Sequence, residues 1–450
     1  MRKFLETLGS VKKRFFPASQ TSAAQAGRPR SRLQRFEQLE QRTLLSITSE
    51  GLAALNIDLA DSFDDVFGRF PEIRGSGIRV GVIADGYAAN DELPTVTASS
   101  SGSGTQGTAM LEIIHDIAPQ ADLWFAPANS EADFESAVDY LSGQGVDVIV
   151  AAPWLRGQPW FEDGPAATAA SAAAADGIVF VSAAGDDGEA IHYQGAYSPV
   201  TGSSTDGKAG AHNFGDGSDL LVFDIPAGGA VNVDLQWSTP WGQSTDADDL
   251  NLYLYKLDGS STTLVAWSDD QQVSSGPLDD PVESLTYKNG PEGPVQLAIQ
   301  VVFRWAEFVP AGYEWPAVTL EIFATGDVSP ASDAHGGSTA YTVEDRIFGP
   351  AAVPSVITVG AANYDTPDSV APYSSHGPST VLAGPDLTVR NSLDGVAIDN
   401  VSYSGGTASG TAIAAAHAGG IAALALQMNP NLSPAEIQTA LTTTAVDLGS

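Results

Sequence analysis

Cysteine is absent from this chain of 450 residues, which excludes a disulfide framework and a thiolate metal site. Basic side chains are nearly as scarce in the body. The chain has 20 Lys and Arg against 55 Asp and Glu, and ten of those 20 lie in residues 1–42, beside only three acidic residues. The rest therefore carries 10 basic and 52 acidic side chains, a formal charge of −42. Such a body disfavours nucleic acid and anionic membranes and suits a soluble protein in a saline or calcium-rich exterior. The N-terminus lacks the long apolar core of an ordinary signal peptide, and no apolar run of transmembrane length is expected elsewhere.

Periodicity divides what is present into two kinds of structure. Apolar strands alternate with small-residue helices through the first part. A strand at 77–84 is followed by the helix Gly107–Ile117, the strand Asp122–Phe125, a helix near Glu131–Leu141, the strand Val146–Ala151, the helix Ala166–Ala175 and the strand Ile178–Ser182. Continuously apolar strands alternating with helices predict an α/β fold, a parallel sheet covered on both faces. From about Gly202 to Thr325 the helices stop. Seven short alternating segments replace them: Leu220–Ile225, Ala230–Trp237, Leu250–Leu257, Thr263–Trp267, Val282–Tyr287, Val295–Phe303 and Ala317–Phe323. Turns rich in Gly, Pro and Asp separate them, as in an antiparallel β-sandwich. The expected organisation is a basic N-terminal segment (1–48), an α/β part (49–201), an inserted sandwich (202–326) and a second α/β part (327–450).

Four short segments carry the functional signal. Gly410-Thr411-Ala412 and its continuation to His417 open a small-residue helix and resemble the subtilase nucleophile motif Gly-Thr-Ser-x-x-x-Pro-His, with Ala412 at the serine. A methyl group has no lone pair to attack a carbonyl. The strand ending Ala84-Asp85-Gly86 resembles the one that delivers the family's aspartate. Asp85 falls one residue late, so a bulge or twist is needed to turn it to the right face. Gln106-Gly107-Thr108 resembles the His-Gly-Thr of the general base, and an amide does not titrate. Ala184-Gly185-Asp186 resembles the oxyanion segment, with Asp186 at the asparagine. An ionised Asp186 repels an oxyanion and only a protonated one donates to it. Sedolisins, acid-active relatives, use aspartate there and glutamate at the base, and Gln106 is the amide of that glutamate.

The four segments occur in the family's order. Ser355–Ala361 resembles its late core strand, Tyr373–Pro378 its Ser-Ser-x-Gly-Pro loop and Leu432–Leu441 its final helix. The resemblance, to the subtilisin/sedolisin-like serine peptidases, covers about 75–200 and 340–450. It implies a subtilisin-like α/β fold with a peptide cleft beyond the strand ends, where such sheets bind ligands. Gly185 and Trp154 are the candidate substrate-binding residues. The Trp154 indole either fills the groove wall or caps the core. Six histidines occur, at 115, 192, 212, 335, 376 and 417. None is expected to replace the missing base. His115 lies half a turn away from Gln106 around the helix.

Two further resemblances concern location and cofactor. The run Phe36–Ser46 is similar to the Leu-Glu-Pro-Arg-x-Leu-Leu segments of large bacterial surface and secreted proteins, with Gln41 at the proline. The alternative is a disordered basic arm. The stretch Asp246–Leu254 resembles the Asp-Leu-Asp-Leu-Tyr-Leu signature of jelly-roll domains that accompany secreted peptidases. Asp246, Asp248 and Asp249 are the candidate metal ligands there, for calcium, against a solvated acidic strand start. The reading that follows is a secreted or cell-surface subtilase homologue without hydrolysis, binding an extended peptide or protein. The alternatives are an active serine endopeptidase and a water-activating carboxylate pair of Asp85 and Asp186.

Overall fold

The structure is a computed structural model describing residues 70–445 and 448, except 153–156, 201–203, 205–208, 216, 260, 273–278, 306–312, 334–336 and 385. The segment 1–48 lies outside the described residues. The first α/β part comprises β1 (Arg79–Ala84), β2 (Thr97–Ala98), α1 (Gln106–Ile117), β3 (Asp122–Pro127), α2 (Glu131–Gly143), β4 (Val148–Ala151), α3 (Pro165–Ala175) and β5 (Val179–Ala183). Antiparallel strands β6 (Ile191–Ala196) to β14 (Ser329–Pro330) follow. Then come β15 (Ile357–Asn363), the hairpin β16 (Ser379–Ala383) and β17 (Asp386–Arg390), β18 (Gly395–Asp399), the short pair β19 (Val401–Tyr403) and β20 (Gly406–Ala408), α4 (Thr411–Met428) and α5 (Pro434–Thr444).

One seven-stranded parallel sheet runs in the order β18-β15-β5-β4-β1-β3-β2. Alternation along β1 shows how it is covered. Val80, Val82 and Ala84 enter one apolar layer with α1 and α4, and Ile83 enters the opposite layer with α2 and α3. Buried faces on both sides explain why these strands read as unbroken apolar runs. Local chemistry sets the helix starts. Ser130 Oγ accepts from Asp133 N at 3.2 Å at the start of α2, Pro165 opens α3, and Ser433 and Glu436 form a reciprocal capping box on α5. Helix α4 is apolar on every face. By length and composition it is apolar enough to cross a membrane, but 89% of it is buried inside the fold. It is the central core helix, packed on α1 and on five strands of the sheet.

The seven strands expected in the insertion are present: β7 (Leu221–Ile225), β8 (Ala230–Trp237), β9 (Leu250–Asp258), β10 (Ser261–Ser268), β11 (Val282–Lys288), β12 (Val295–Phe303) and β13 (Thr319–Gly326). They form sheets β10-β9-β12-β7-β14 and β11-β8-β13-β6. Phe223, Leu252 and Ile299 of one sheet share a core with Val233, Leu235 and Ile322 of the other, which is a sandwich.

The boundary at 202 needs correction. Strand β6 precedes it and pairs with β13, Tyr193 opposite Ile322. Its alternation is hidden because both its faces are covered. Ile191 and Tyr193 enter the sandwich core, while the fully buried His192 stacks on Phe323, ring centres 4.3 Å apart. His192 Nε2 meets Glu321 Oε1 at 3.2 Å and Nδ1 meets the Thr342 carbonyl at 3.2 Å. Burial, aided by the Arg346 charge, pushes His192 down to about 3, so its ring is neutral. Burial and the Asp345 charge hold Glu321 well above the carboxylate range.

A fragment of residues 189–342 is expected to melt cooperatively. One of 202–326 should be less stable by roughly 3–6 kcal/mol, because it loses the burial of Ile191 and Tyr193 and leaves an edge of β13 unpaired. Thermal unfolding of the two fragments checks this; equal melting temperatures would return the boundary to 202.

Candidate functional site

Beyond the ends of β1, β3, β4 and β5 the sheet opens into a cleft of about 350 Å³. Asp85, Gln106, Ala128, Asn129, Ala152, Gly185, Asp186, Asp187, Thr411 and Ala412 line it. All four positions singled out in the sequence, Asp85, Gln106, Asp186 and Ala412, therefore meet in one place, together with Gly185. Trp154 lies outside the described residues.

The one-residue lateness of Asp85 is resolved by ending the strand. β1 stops at Ala84, which still faces the layer of α1 and α4. The chain then bends, and Asp85 Oδ1 accepts the backbone N–H of Gln106, the first residue of α1, at 3.0 Å. The approach is close enough to require glycine opposite: a Cβ on Gly104 would lie 1.8 Å from Asp85 Oδ2. Thr105, the residue preceding α1, makes no side-chain cap, so Asp85 supplies it from across the loop. Gln106 stands exposed at the rim of the cleft.

Helix α4 repeats the arrangement. Its preceding residue is Gly410, at φ 114°, with no side chain to cap the helix. Asp186 Oδ1 accepts from Thr411 N at 2.8 Å, and Asp399 Oδ2 from Gly410 N at 2.9 Å. Thr411 Oγ1 accepts from Gly185 N at 3.1 Å and also bonds the Asp186 carboxylate. Two carboxylates thus sit on the N-terminal N–H groups of one helix, where the helix dipole favours negative charge. Tyr373 adds its hydroxyl to Asp399 Oδ2. Burial, followed by the Asp399 carboxylate, raises the Tyr373 phenol. The Asp186 side chain stays open to solvent on one side. Even so, the surrounding protein holds its carboxyl above the ordinary value; the Thr411 bonds oppose this shift and the Asp399 charge adds to it.

Ala412 follows at the cleft floor, only 2% exposed and packed into the core. No serine, histidine, lysine or tyrosine is among the described lining residues. His417 is buried with Nδ1 3.0 Å from the Ile413 carbonyl, and burial pushes it down to about 4. His115 sits in the last turn of α1, lowered by burial. The His376 carbonyl accepts from Arg346 N at 2.9 Å. His192 and His212 belong to the sandwich, and His335 lies outside the described residues.

Sequence reasoning missed Asp187, Asp399 and Arg346. Asp187 N donates to Ser375 Oγ at 3.2 Å, and its carbonyl accepts from Arg346 Nη1 at 2.6 Å. Arg346 Nη2 also donates to the Thr342 carbonyl at 2.9 Å. One buried guanidinium thereby ties the cleft loop to the sandwich junction. Asp399 was legible in principle: the run Gly395–Ile398 ends in a carboxylate just as 77–84 does.

The three-carboxylate calcium reading does not hold. Consecutive residues entering a strand point apart, and Asp248 is spent on its own turn. It accepts from Thr245 N at 2.7 Å, from Trp237 Nε1 at 3.3 Å and from the Thr239 hydroxyl. Asp249 is buried with Arg304 Nε 3.6 Å away. Among the described residues no group of three or more His, Asp or Glu is placed to hold a metal ion.

Residues 265–450 match the subtilase family, Peptidase_S8. Over 122 residues the chain is 34% identical to the halolysin-like extracellular serine protease Nep of Natrialba magadii, a match covering 27% of this chain and 19% of that protein. Over 127 residues it is 32% identical to subtilisin of Bacillus pumilus, covering 28% of this chain and 42% of the relative. These matches span less than half of each relative. A cold-adapted subtilisin-like serine proteinase of known structure overlays at a TM-score of 0.40 with 15% identity, covering 83% of this chain and 84% of that one.

The raised carboxyl of Asp186 has a definite sign in stability. A carboxyl held above its unfolded value favours folding while protonated, and that contribution is lost as pH rises from about the ordinary aspartate value through the raised one. Asp186→Asn keeps an acceptor for Thr411 N and removes the titration. The variant's melting temperature relative to the natural protein should therefore increase as pH is raised from 3 to 7. A pH series of thermal melts checks this, and a difference independent of pH would contradict it.

Proposed function

For a chain homologous to the subtilases across residues 265–450, we propose the role of a secreted peptidase homologue whose cleft binds extended peptides without cleaving them. The observation that carries the reading is Ala412, a buried methyl at the N-terminus of α4, in a cleft whose other lining residues include no replacement nucleophile. Gln106 is the residue that the resemblance puts at the general base, and its amide cannot take up a proton. Thr411, the one hydroxyl on the lining, is engaged with Gly185 N and Asp186.

Binding does not need the missing groups. Extended peptides are held by main-chain hydrogen bonds to exposed backbone and by side-chain pockets, and Ala128, Asn129, Ala152 and Gly185 bring strand-end residues to the cleft lining. Among the described residues, Asp85, Asp186 and Asp187 line it with no lysine or arginine beside them, so the favoured peptides are basic and bind best at low salt. Secretion is supported by the acidic, cysteine-free composition and by the extracellular character named for the Natrialba relative.

Two measurements test the reading. Serine-directed phosphonate probes should leave the protein unlabelled, and stoichiometric labelling would make it an active peptidase. Calorimetry against extended peptides should show tighter binding for Lys- and Arg-bearing sequences, weakening as salt rises; absence of any binding would remove the peptide cleft.

Restoration gives a sharper outcome. Ala412→Ser alone should yield no measurable hydrolysis of a quenched peptide library. Adding Gln106→His should raise the rate on the order of 10²–10⁴-fold, the usual contribution of a positioned base. Equal rates for the single and double variants would show that Gln106 does not occupy the base position.

A further inference from the structure

We propose that the open edge of β17 is an interface between two copies of this chain, each copy adding its β17 antiparallel to the other about a two-fold axis at Thr388. Across the interface the strands run β16-β17-β17-β16. The surface is separate from the cleft and does not rest on the peptide-binding reading.

Strand β17 pairs with β16, from Ser379 opposite Arg390 to Ala383 opposite Asp386. On β16 the N–H groups of Thr380 and Leu382 turn away from β17, to Asp345 Oδ1 at 2.8 Å and to the Phe161 carbonyl at 2.6 Å. Opposed residues of an antiparallel pair turn their backbone groups alike, both toward each other or both away. Val389 and Leu387, opposite Thr380 and Leu382, therefore aim their N–H and C=O groups at the open edge. Among the described residues no strand pairs there. Edge strands are ordinarily guarded by lysine, proline or a bulge. The sandwich edge β10 has such a guard, a register shift between Leu264 and Ala266. Strand β17 keeps an unbroken register and contains neither lysine nor proline. Leu387 and Val389 are 37% and 65% exposed on one face, and Asp386 and Thr388 are exposed on the other, so the body leaves this edge accessible.

Charge order selects the occupant. The strand reads Asp386-Leu387-Thr388-Val389-Arg390, acid first and base last, which an antiparallel copy of itself complements. Centred on Thr388, that pairing sets Asp386 opposite Arg390, Leu387 opposite Val389, and Thr388 opposite Thr388 of the second copy. Opposite charges meet at both ends and branched apolar side chains meet between them, each a favourable cross-strand pair. Leu387 of one copy and Val389 of the other exchange N–H···O=C bonds in both directions, and the two-fold axis repeats the exchange. Arg390 is already fixed in place, since its Nη1 and Nη2 donate to Asp163 Oδ1 and Oδ2 at 2.6 and 2.8 Å. Asp386 of the second copy thus meets a guanidinium whose side-chain entropy is already spent. Leu382, opposite Leu387 on β16 and half-exposed, extends the apolar row.

The test uses the full chain, by sedimentation velocity over protein concentrations of about 1 μM–1 mM. The natural protein should pass from monomer to dimer as concentration rises. Val389→Pro removes an outward N–H without disturbing the pairing to β16, and should raise the dimer Kd on the order of tenfold. Asp386→Lys sets like charges opposite each other and should raise the Kd more at low salt than at high salt. The chain has no cysteine, so single introduced cysteines report the register. A Thr388 pair on the axis has Cα atoms about 4.5 Å apart, within disulfide reach. Thr388→Cys should therefore cross-link two copies under mild oxidation, and Leu387→Cys, which faces Val389 and not itself, should not. A natural protein that stays monomeric at every concentration overturns the proposal, including the case in which the edge takes a strand from a different protein. It is equally overturned if Thr388→Cys fails to cross-link, if Leu387→Cys cross-links as fast, or if Val389→Pro dimerises like the natural protein. The cross-linking pair keeps the proposal falsifiable should the proline variant fold poorly.

Discussion

The first N–H groups of α1 and α4 point into the same cleft, and neither helix brings a cap of its own. Thr105 makes no side-chain cap and Gly410 has no side chain. The unsatisfied donors are met instead by carboxylates at the ends of sheet strands: Asp85 on α1, and Asp186 with Asp399 on α4. The Asp85 and Asp186 bonds join strand ends to helix starts 21 and 225 residues away, and the Asp399 bond covers a buried donor, Gly410 N, so opening the cleft would leave these N–H groups without their acceptors. An orphaned buried donor or acceptor costs about 1–3 kcal/mol. This interlock holds the site in shape independently of any catalytic side chain.

That independence explains how the architecture persists beside Ala412 and Gln106. A helix N-terminus concentrates positive potential, and here capping carboxylates already occupy that potential at both helices. The cleft is therefore arranged around carboxylate-to-backbone bonds. Asp85, Asp186 and Asp187 give the described lining of the cleft its acidic floor.

The sandwich is joined to this cleft through buried polar groups. Arg346 reaches the carbonyls of Asp187 and Thr342, and the Thr342 carbonyl also receives His192, which pairs with Glu321. Strand β6 runs through that junction with one face in the sandwich core and the other in this network. Buried polar networks lose much more when one member is removed than a single hydrogen bond contributes. The sandwich and the α/β body consequently share a junction whose geometry bears directly on the cleft loop.

Much of this molecule was readable from periodicity. The apolar runs of the parallel strands, the small-residue helices and the seven alternating segments of the insertion are local patterns, and each became the element it suggested. The residues of the cleft were readable one motif at a time, because each falls directly after a strand or at a helix start. Tertiary structure decided the rest, and for one physical reason: burial on two sides erases the local pattern. Strand β6 escaped notice because His192 and Tyr193 are buried against different partners. Helix α4 has membrane-like composition because it is surrounded by protein. The carboxylates Asp248 and Asp249 are neighbours in sequence yet turn to different partners, Asp248 to Thr245 and Asp249 toward Arg304. The roles of Asp85 and Asp186 as helix caps depend on contacts 21 and 225 residues apart, which only the folded chain brings together.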